Sequence, residues 1–307
     1  MKRVAFWGES VMLGRVRKLF AESYPYMVMV HDEQYLPEID ALVCWKLPEG
    51  MIDRLPNLRL IHSVGAGCET IIRHPLPNRV SVCRVVDDAQ IQGMIDYCTW
   101  AALYYYRELD KVIENSRHKV WEWPPQVPKN TYKIGIMGLG NMGCHVATSL
   151  SQSGFEVCGW ARTSKQLKTV KSYAGNHELE AFLEGLDLVI CLLPLTPETR
   201  GILSASFFEK MQPGSVIVNL GRGEHLVEED LLTTLQEGHL RGALLDVFDN
   251  EPLEKNSPLW GAQEVLVTPH MASASSVEEI TRQIHDNIIR MRSGEELLNR
   301  VDHERGY

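Results

Sequence analysis

The chain reads as an α/β protein of two doubly wound lobes, and three observations point there. Short apolar runs alternate with helical patterns through roughly the first hundred residues, and a second such alternation begins near Tyr132. One long helical pattern separates the two series, and a glycine-rich turn sits between a strand and a helix in the second. Regular alternation of this kind is the mark of parallel sheets with right-handed crossovers.

In the first series Val4–Trp7, Met27–Val30, Ala41–Cys44 and Leu58–Ser63 are short, largely apolar runs, as buried strands of a parallel sheet tend to be. Met12–Ala21 and Glu49–Leu55 carry helical spacing between them. Ile91 to about His118 predicts one long helix, stopped by Trp121-Glu122-Trp123-Pro124-Pro125, because proline cannot continue it. Strands are then expected at Tyr132–Met137, Phe155–Gly159, Leu186–Leu192, Ser215–Asn219, Gly242–Asp246 and Glu264–Thr268. Ser276-Val277-Glu278-Glu279 has the spacing of a capping box and opens a last helix to about Arg292.

Length and composition narrow the function. A chain of 307 residues can bury two cores, and 44% apolar with 23% charged residues is ordinary for a globular protein. A formal net charge of −9 argues against a general nucleic-acid or membrane-surface binder. No run approaches the roughly 20 apolar residues that span a bilayer, and the apolar start is too short for a signal peptide. A cytoplasmic protein is expected. The seven cysteines lack a CxxC pair and read as reduced, largely buried thiols, with no zinc signature. No metal site is expected.

Gly138-Leu139-Gly140-Asn141-Met142-Gly143 follows a strand and precedes the helical run Cys144–Ser151. Such a spacing alone arises by chance; between strand and helix it reads as a dinucleotide-binding turn. Gly138 would make the tight turn, Gly140 would admit the pyrophosphate, and Gly143 would let helix and sheet approach. The helix N-terminus offers free N–H groups and a positive dipole end. The next strand should end at an acidic residue if the ribose of NAD is held there. It reads Trp160-Ala161-Arg162-Thr163-Ser164-Lys165 instead. A guanidinium pairs with a 2′-phosphate that a carboxylate would repel, so NADPH is preferred with NADH possible. The bland alternative is a solvated polar turn.

Three later strands each end in a chemically useful loop: Asn219-Leu220-Gly221-Arg222-Gly223, Asp246 to Leu253 with Glu251 before Pro252, and Thr268-Pro269-His270-Met271-Ala272. Each alone has an ordinary structural explanation. Together, after successive strands of a dinucleotide-binding sheet, they suggest a catalytic set.

With these residues in view the chain resembles the D-isomer-specific 2-hydroxyacid dehydrogenases over nearly its whole length. Leu192-Leu193-Pro194-Leu195-Thr196-Pro197-Glu198-Thr199, the helix Glu228–Leu235 and Val64-Gly65-Ala66-Gly67 are further matches. Trp160-Ala161-Arg162, Trp45 and the tail Val301-Asp302-His303-Glu304-Arg305-Gly306-Tyr307 are most similar to bacterial NADPH-dependent glyoxylate/hydroxypyruvate reductases. The resemblance implies a flavodoxin-like substrate-binding domain (1–98 and 277–307) and a Rossmann-type dinucleotide-binding domain (99–276). It also implies a homodimer and a small 2-keto acid as substrate. By the same resemblance His270 is the acid, Glu251 orients it, and Arg222 binds the substrate carboxylate with help from the amides of Val64, Gly65, Ala66 and Gly67. Asn141, Met142 and Thr163 would join the cofactor contacts, Asp246 would orient the nicotinamide carboxamide, and Pro194 would line its face. Trp45 either caps a small substrate pocket or packs in the first core; Trp121 and Trp123 either shield the site or meet a second subunit. The remaining histidines (31, 62, 74, 118, 145, 177, 225, 239, 285 and 303) read as structural or solvated. Rival readings are formate or phosphite oxidation on the same scaffold and a non-catalytic nucleotide sensor such as a corepressor, against both of which the full Arg, Glu and His set speaks. A purely structural role leaves the glycine motif and that set unexplained. A related dehydrogenase of another small acid stays open, because the residues do not spell out the substrate.

Overall fold

The apolar runs pair as parallel strands, and the order of pairing differs between the two parts of the chain. A computed structural model describes residues 3–30, 32–273 and 275–302. His31, His303 and the tail residues 303–307 lie outside the described residues. The chain divides into two compact units, Met1–Gln90 with Ala274–Tyr307, and Ile91–Ser273.

In the first unit β1 (Arg3–Trp7), β2 (Met29–Val30), β3 (Ile39–Cys44), β4 (Leu60–Ser63) and β5 (Ser81–Cys83) form a sheet of order β2-β1-β3-β4-β5. That is the flavodoxin-like order. Helix α1 (Val11–Ser23) is capped by Ser10, whose Oγ accepts from the Leu13 amide at 3.1 Å. α2 (Glu69–Ile72) is a single turn, and α9 (Val277–Ser293) closes the unit. Ile280, Ile284, Ile288 and Met291 recur at helical spacing on α9 and pack with Leu13, Val16 and Phe20 of α1 over β1, β3 and β4. Each such side chain contributes about 1.5–3 kcal/mol by leaving water. Ser276 caps α9 through the Glu279 amide, but Glu279 turns its carboxylate to Arg282 and Gln283 rather than completing the box.

The second unit begins with α3 (Asp88–Tyr106), whose first turn holds the division, and α4 (Leu109–Arg117). Its strands are β6 (Lys133–Met137), β7 (Glu156–Ala161), β8 (Lys171–Ala174), β9 (Leu188–Cys191), β10 (Val216–Asn219), β11 (Gly242–Leu245) and β12 (Val265–Val267). The order β12-β11-β10-β9-β6-β7-β8 is the Rossmann order with one further strand beyond β11. Between them lie α5 (Asn141–Gln152), α6 (Leu179–Leu183), α7 (Ala205–Phe208) and α8 (Glu228–Gln236). No described helix is long and apolar enough to cross a membrane.

Three expectations need correction. Glu49–Leu55 is not a helix: Gly50 is left-handed at φ 69°, and only a 3₁₀ turn at Ile52–Arg54 forms. The long helix breaks at Glu108, which is left-handed at φ 50°. Arg241 secures that break, donating to the Tyr105 carbonyl at 3.1 Å with Glu108 and Asp110 each 3.6 Å from its Nη1. Neither Gly nor Pro marks the spot. β5 and β8 escape the periodicity because they are short, and β8 is a partly exposed edge strand.

One buried polar group gives the first unit a pH signature. His62 of β4 is fully buried, its Nδ1–H donating to the Ser63 carbonyl at 2.7 Å while Nε2 accepts from Asn287 of α9 at 3.0 Å. Burial lowers its pKa from 6.5 to about 4, against the Ser63 hydrogen bond. Unfolding therefore takes up a proton between those values, so stability is full above about pH 6.5 and falls as pH drops towards 4. The loss is about 3 kcal/mol at 1.36 kcal/mol per unit. Urea melts from pH 7 to 4 should show a shallower decline for His62→Gln than for the parent; equal declines would remove this histidine as the cause.

Candidate active site

Parallel pairing sets the site in the second unit. Val267 pairs with Leu245, Leu245 with Asn219, Asn219 with Cys191, Cys191 with Met137 and Met137 with Trp160. The strands thus end level at their carboxyl edge. The loops that follow start at Thr268, Asp246, Leu220, Leu192, Gly138 and Arg162, carrying every site residue expected in this unit.

At the glycine turn Gly138 has φ +100°, and a Cβ there would stand 2.8 Å from the Leu192 carbonyl oxygen. A Cβ on Gly143 would lie 1.9 Å from the Gly138 carbonyl oxygen, so neither position accepts another residue without movement. Gly140 is different: a Cβ there would meet nothing within 4 Å. It is exposed and precedes α5, whose N-terminus has no side-chain cap. The amides of Asn141, Met142 and Gly143 open α5 without intrahelical acceptors. Arg162 and Thr163 follow the last residue of β7 and are exposed. The Arg162 charge is felt at Glu198, whose carboxyl lies below its usual range because of Thr196 and its own amide first and Arg162 after them.

The arginine loop is held by packing and by a histidine. A Cβ on Gly223 would sit 1.9 Å from the Phe248 carbonyl carbon, so the loop lies flat on the Phe248–Asp249 backbone. His225 is fully buried, and its Nδ1 accepts from the Arg222 amide at 3.0 Å. Nε2 therefore carries the hydrogen and faces the Pro194 carbonyl at 3.3 Å. Arg222 donates from Nη1 to the Gly221 carbonyl at 2.6 Å. His225 reads as an ordinary structural residue in the sequence; its place three residues after Arg222, inside the 3₁₀ turn Gly223–His225, is the signal that could have found it.

His270 and Glu251 meet. Glu251 Oε2 accepts from His270 Nδ1 at 2.8 Å, and Oε1 accepts from the Phe248 amide at 3.0 Å. Phe248 thus touches both the arginine loop and the glutamate. Burial works to raise the Glu251 pKa, but the bonds from His270 and Phe248 and the charges of His270 and Arg222 outweigh it, leaving the carboxylate ionised below its usual range. His270 itself is left-handed at φ 52°, a conformation that costs a non-glycine residue about 1–3 kcal/mol. Asp246, only 1% exposed, accepts from Thr268 Oγ1 at 2.6 Å and from the amides of Met271 and Ala272 at 2.9 Å each. Both its oxygens are engaged by the loop that carries His270.

In the first unit Trp45 and Val64–Gly67 leave the carboxyl ends of β3 and β4, where Cys44 pairs with Ser63. The half-buried Trp45 ring lies on Gly65, where a Cβ would come within 2.2 Å of it. The Val64 amide donates to the Cys44 carbonyl at 3.3 Å and the Gly65 amide to Ser63 Oγ at 3.2 Å. Of the four amides expected to hold an anion, two are therefore engaged in keeping the loop's shape, and those of Ala66 and Gly67 remain.

Residues 99–272 match the family described as D-isomer specific 2-hydroxyacid dehydrogenase, NAD binding domain. Glyoxylate/hydroxypyruvate reductase A of Yersinia enterocolitica is 37% identical over 274 residues, 87% of this chain and 88% of that protein. A D-isomer specific 2-hydroxyacid dehydrogenase family protein of Klebsiella pneumoniae superposes with a TM-score of 0.92 at 36% identity, covering 99% of this chain and 98% of that one. The NADPH-dependent glyoxylate/hydroxypyruvate reductase of Sinorhizobium meliloti, solved with NADP and sulfate, gives 0.89 at 32% identity over 100% of both chains.

Proposed function

This chain belongs to the D-isomer specific 2-hydroxyacid dehydrogenase family, and we propose that it reduces a small 2-keto acid of the glyoxylate or hydroxypyruvate type with NADPH. The observation that carries this reading is the 2.8 Å contact of His270 Nδ1 with Glu251. Arg222 sits on a loop packed against the same Phe248 backbone that binds Glu251.

The residues present suit a dinucleotide. Open space at Gly140, the uncapped start of α5 and the exposed Arg162 would take the pyrophosphate and a 2′-phosphate. Asn141, Met142 and Thr163 would add donors, and Pro194 would flank the nicotinamide. Asp246 keeps lone-pair capacity on Oδ2 for the carboxamide beside its hold on the His270 loop. Bound NADPH supplies a hydride for C2 of the keto acid.

The protein supplies the proton and the orientation. With Nδ1 bound to Glu251, His270 would protonate the carbonyl oxygen through Nε2 as the alcohol forms. Ionised Glu251 stabilises the imidazolium and fixes which nitrogen reacts. Arg222 offers a planar, permanently charged fork for the substrate carboxylate. In the first unit the amides of Ala66 and Gly67 are assigned to that carboxylate, and Trp45 to limiting the size of the acid. The relatives named as glyoxylate/hydroxypyruvate reductases support this substrate class. Seven cysteines outside any disulfide suit a reducing, cytosolic setting.

We also assign Trp121 and Trp123, 92% and 81% exposed, to contact with a second copy of the chain. Ile113 and Leu109 on α4 are exposed as well.

Purified protein should consume NADPH with glyoxylate or hydroxypyruvate, and His270→Ala should lower kcat by about 10²–10⁴ while still binding NADPH. Full turnover in that variant would remove His270 from the chemistry. Arg162→Ala should raise KM for NADPH by about 10–100-fold, the worth of a charge-assisted contact, and leave NADH within about twofold; equal losses for both cofactors would refute the 2′-phosphate role. Light scattering should find a dimer that Trp121→Ser with Trp123→Ser dissociates, whereas a monomeric parent would refute the pairing.

A further inference from the structure

His270 presents a physical problem that Glu251 does not solve. Glu251 fixes one nitrogen of the ring, yet the backbone beneath it is left-handed at φ 52° and must be held there by something else. Asp246 grips the loop on both sides of the histidine, taking Thr268 before it and the amides of Met271 and Ala272 after it. The grip does not end at Asp246. Tyr97, on α3, has its hydroxyl 2.5 Å from Thr268 Oγ1.

The direction of these bonds follows from counting hydrogens. A buried carboxylate receiving two amide hydrogens is an acceptor, so Thr268 must spend its single hydroxyl hydrogen on Asp246. Thr268 Oγ1 can then only accept from Tyr97, whose O–H is the sole remaining donor. Burial, ahead of the opposing Thr268 hydrogen bond, pushes the Tyr97 pKa up, so the phenol keeps its proton at neutral pH. The result is a one-way relay, Tyr97 to Thr268 to Asp246, in which each bond polarises the next.

We propose that Tyr97 and Thr268 are positioning residues for His270, acting through Asp246 to hold the loop 268–272 in its left-handed turn. The proposal rests on the acid role assigned to His270 above. Neither side chain needs to touch substrate. Their effect is on where the imidazole stands, and a displacement of about 1 Å in a reacting group can cost 10²-fold in rate.

The test uses Tyr97→Phe, which deletes one hydrogen bond and keeps the ring, with Thr268→Val and Thr268→Ser in the full-length protein. Amide exchange at Met271 and Ala272 should quicken several-fold in Tyr97→Phe and more in Thr268→Val, and stay at the parent rate in Thr268→Ser, which keeps the hydroxyl. With NADPH and glyoxylate, kcat should fall about 10-fold in Tyr97→Phe and about 10–100-fold in Thr268→Val, with KM and NADPH affinity within about twofold. Thr268→Ser should restore kcat, and Tyr97→Phe should cost nothing further on top of Thr268→Val. Parent-like exchange at both amides in Tyr97→Phe overturns the relay, and so does a fall in kcat matched by an equal change in KM. A chain that reduces no 2-keto acid would defeat the reading of the previous subsection, while the exchange rates would still decide this one.

Discussion

The carboxyl edge of the second sheet is the constraint from which the rest follows. Hydrogen-bonded parallel strands lie about 4.8 Å apart, and here β10, β11 and β12 end on paired residues, Asn219, Leu245 and Val267. The loops bearing Arg222, Glu251 and His270 therefore leave the sheet within about 10 Å of one another, two strand spacings. No folding of the loops alone could bring those residues together from positions so far apart in the chain. The same edge carries the glycine turn after β6 and Arg162 after β7, so all these loops share one origin.

Within that frame the local backbone works close to its limits. Gly223 lets one loop rest directly on the next, since a single added carbon would overlap Phe248. Gly143 does the same against Gly138. His270 has no such freedom, and its left-handed backbone costs about 1–3 kcal/mol. The three hydrogen bonds to the Asp246 carboxylate offset that cost, each bond to a charged group contributing about 1.5–3 kcal/mol. A strained histidine whose loop is held by a buried carboxylate is stiffer than one held by its ring alone. This is the connection between the packing of the unit and its chemistry.

Much of this was legible beforehand. Largely apolar runs predicted buried parallel strands, and the glycine spacing located the tight turn between β6 and α5. Arg222, Glu251 and His270 could be singled out because each follows a strand and each has a side chain suited to acid–base or anion chemistry. The misreadings share a cause. Glu108 breaks a helix through a tertiary contact with Arg241, and the Glu49–Leu55 pattern lost to a left-handed Gly50; periodicity measures the burial of a face and is blind to both. β8 was missed because Lys171-Ser172-Tyr173-Ala174 is partly exposed and so carries no apolar run.

The amino-acid order by itself determined the element types, the glycines that a turn requires, and the residue kinds available for catalysis, because these depend on interactions over a few positions. What the tertiary structure alone decided is pairing. It set His225 behind Arg222, spent the amides of Val64 and Gly65 within their own loop, and gave Asp246 a structural task at the histidine. Such assignments depend on strand register and on which donors are already satisfied. Both are properties of groups distant in the chain, and no local pattern encodes them.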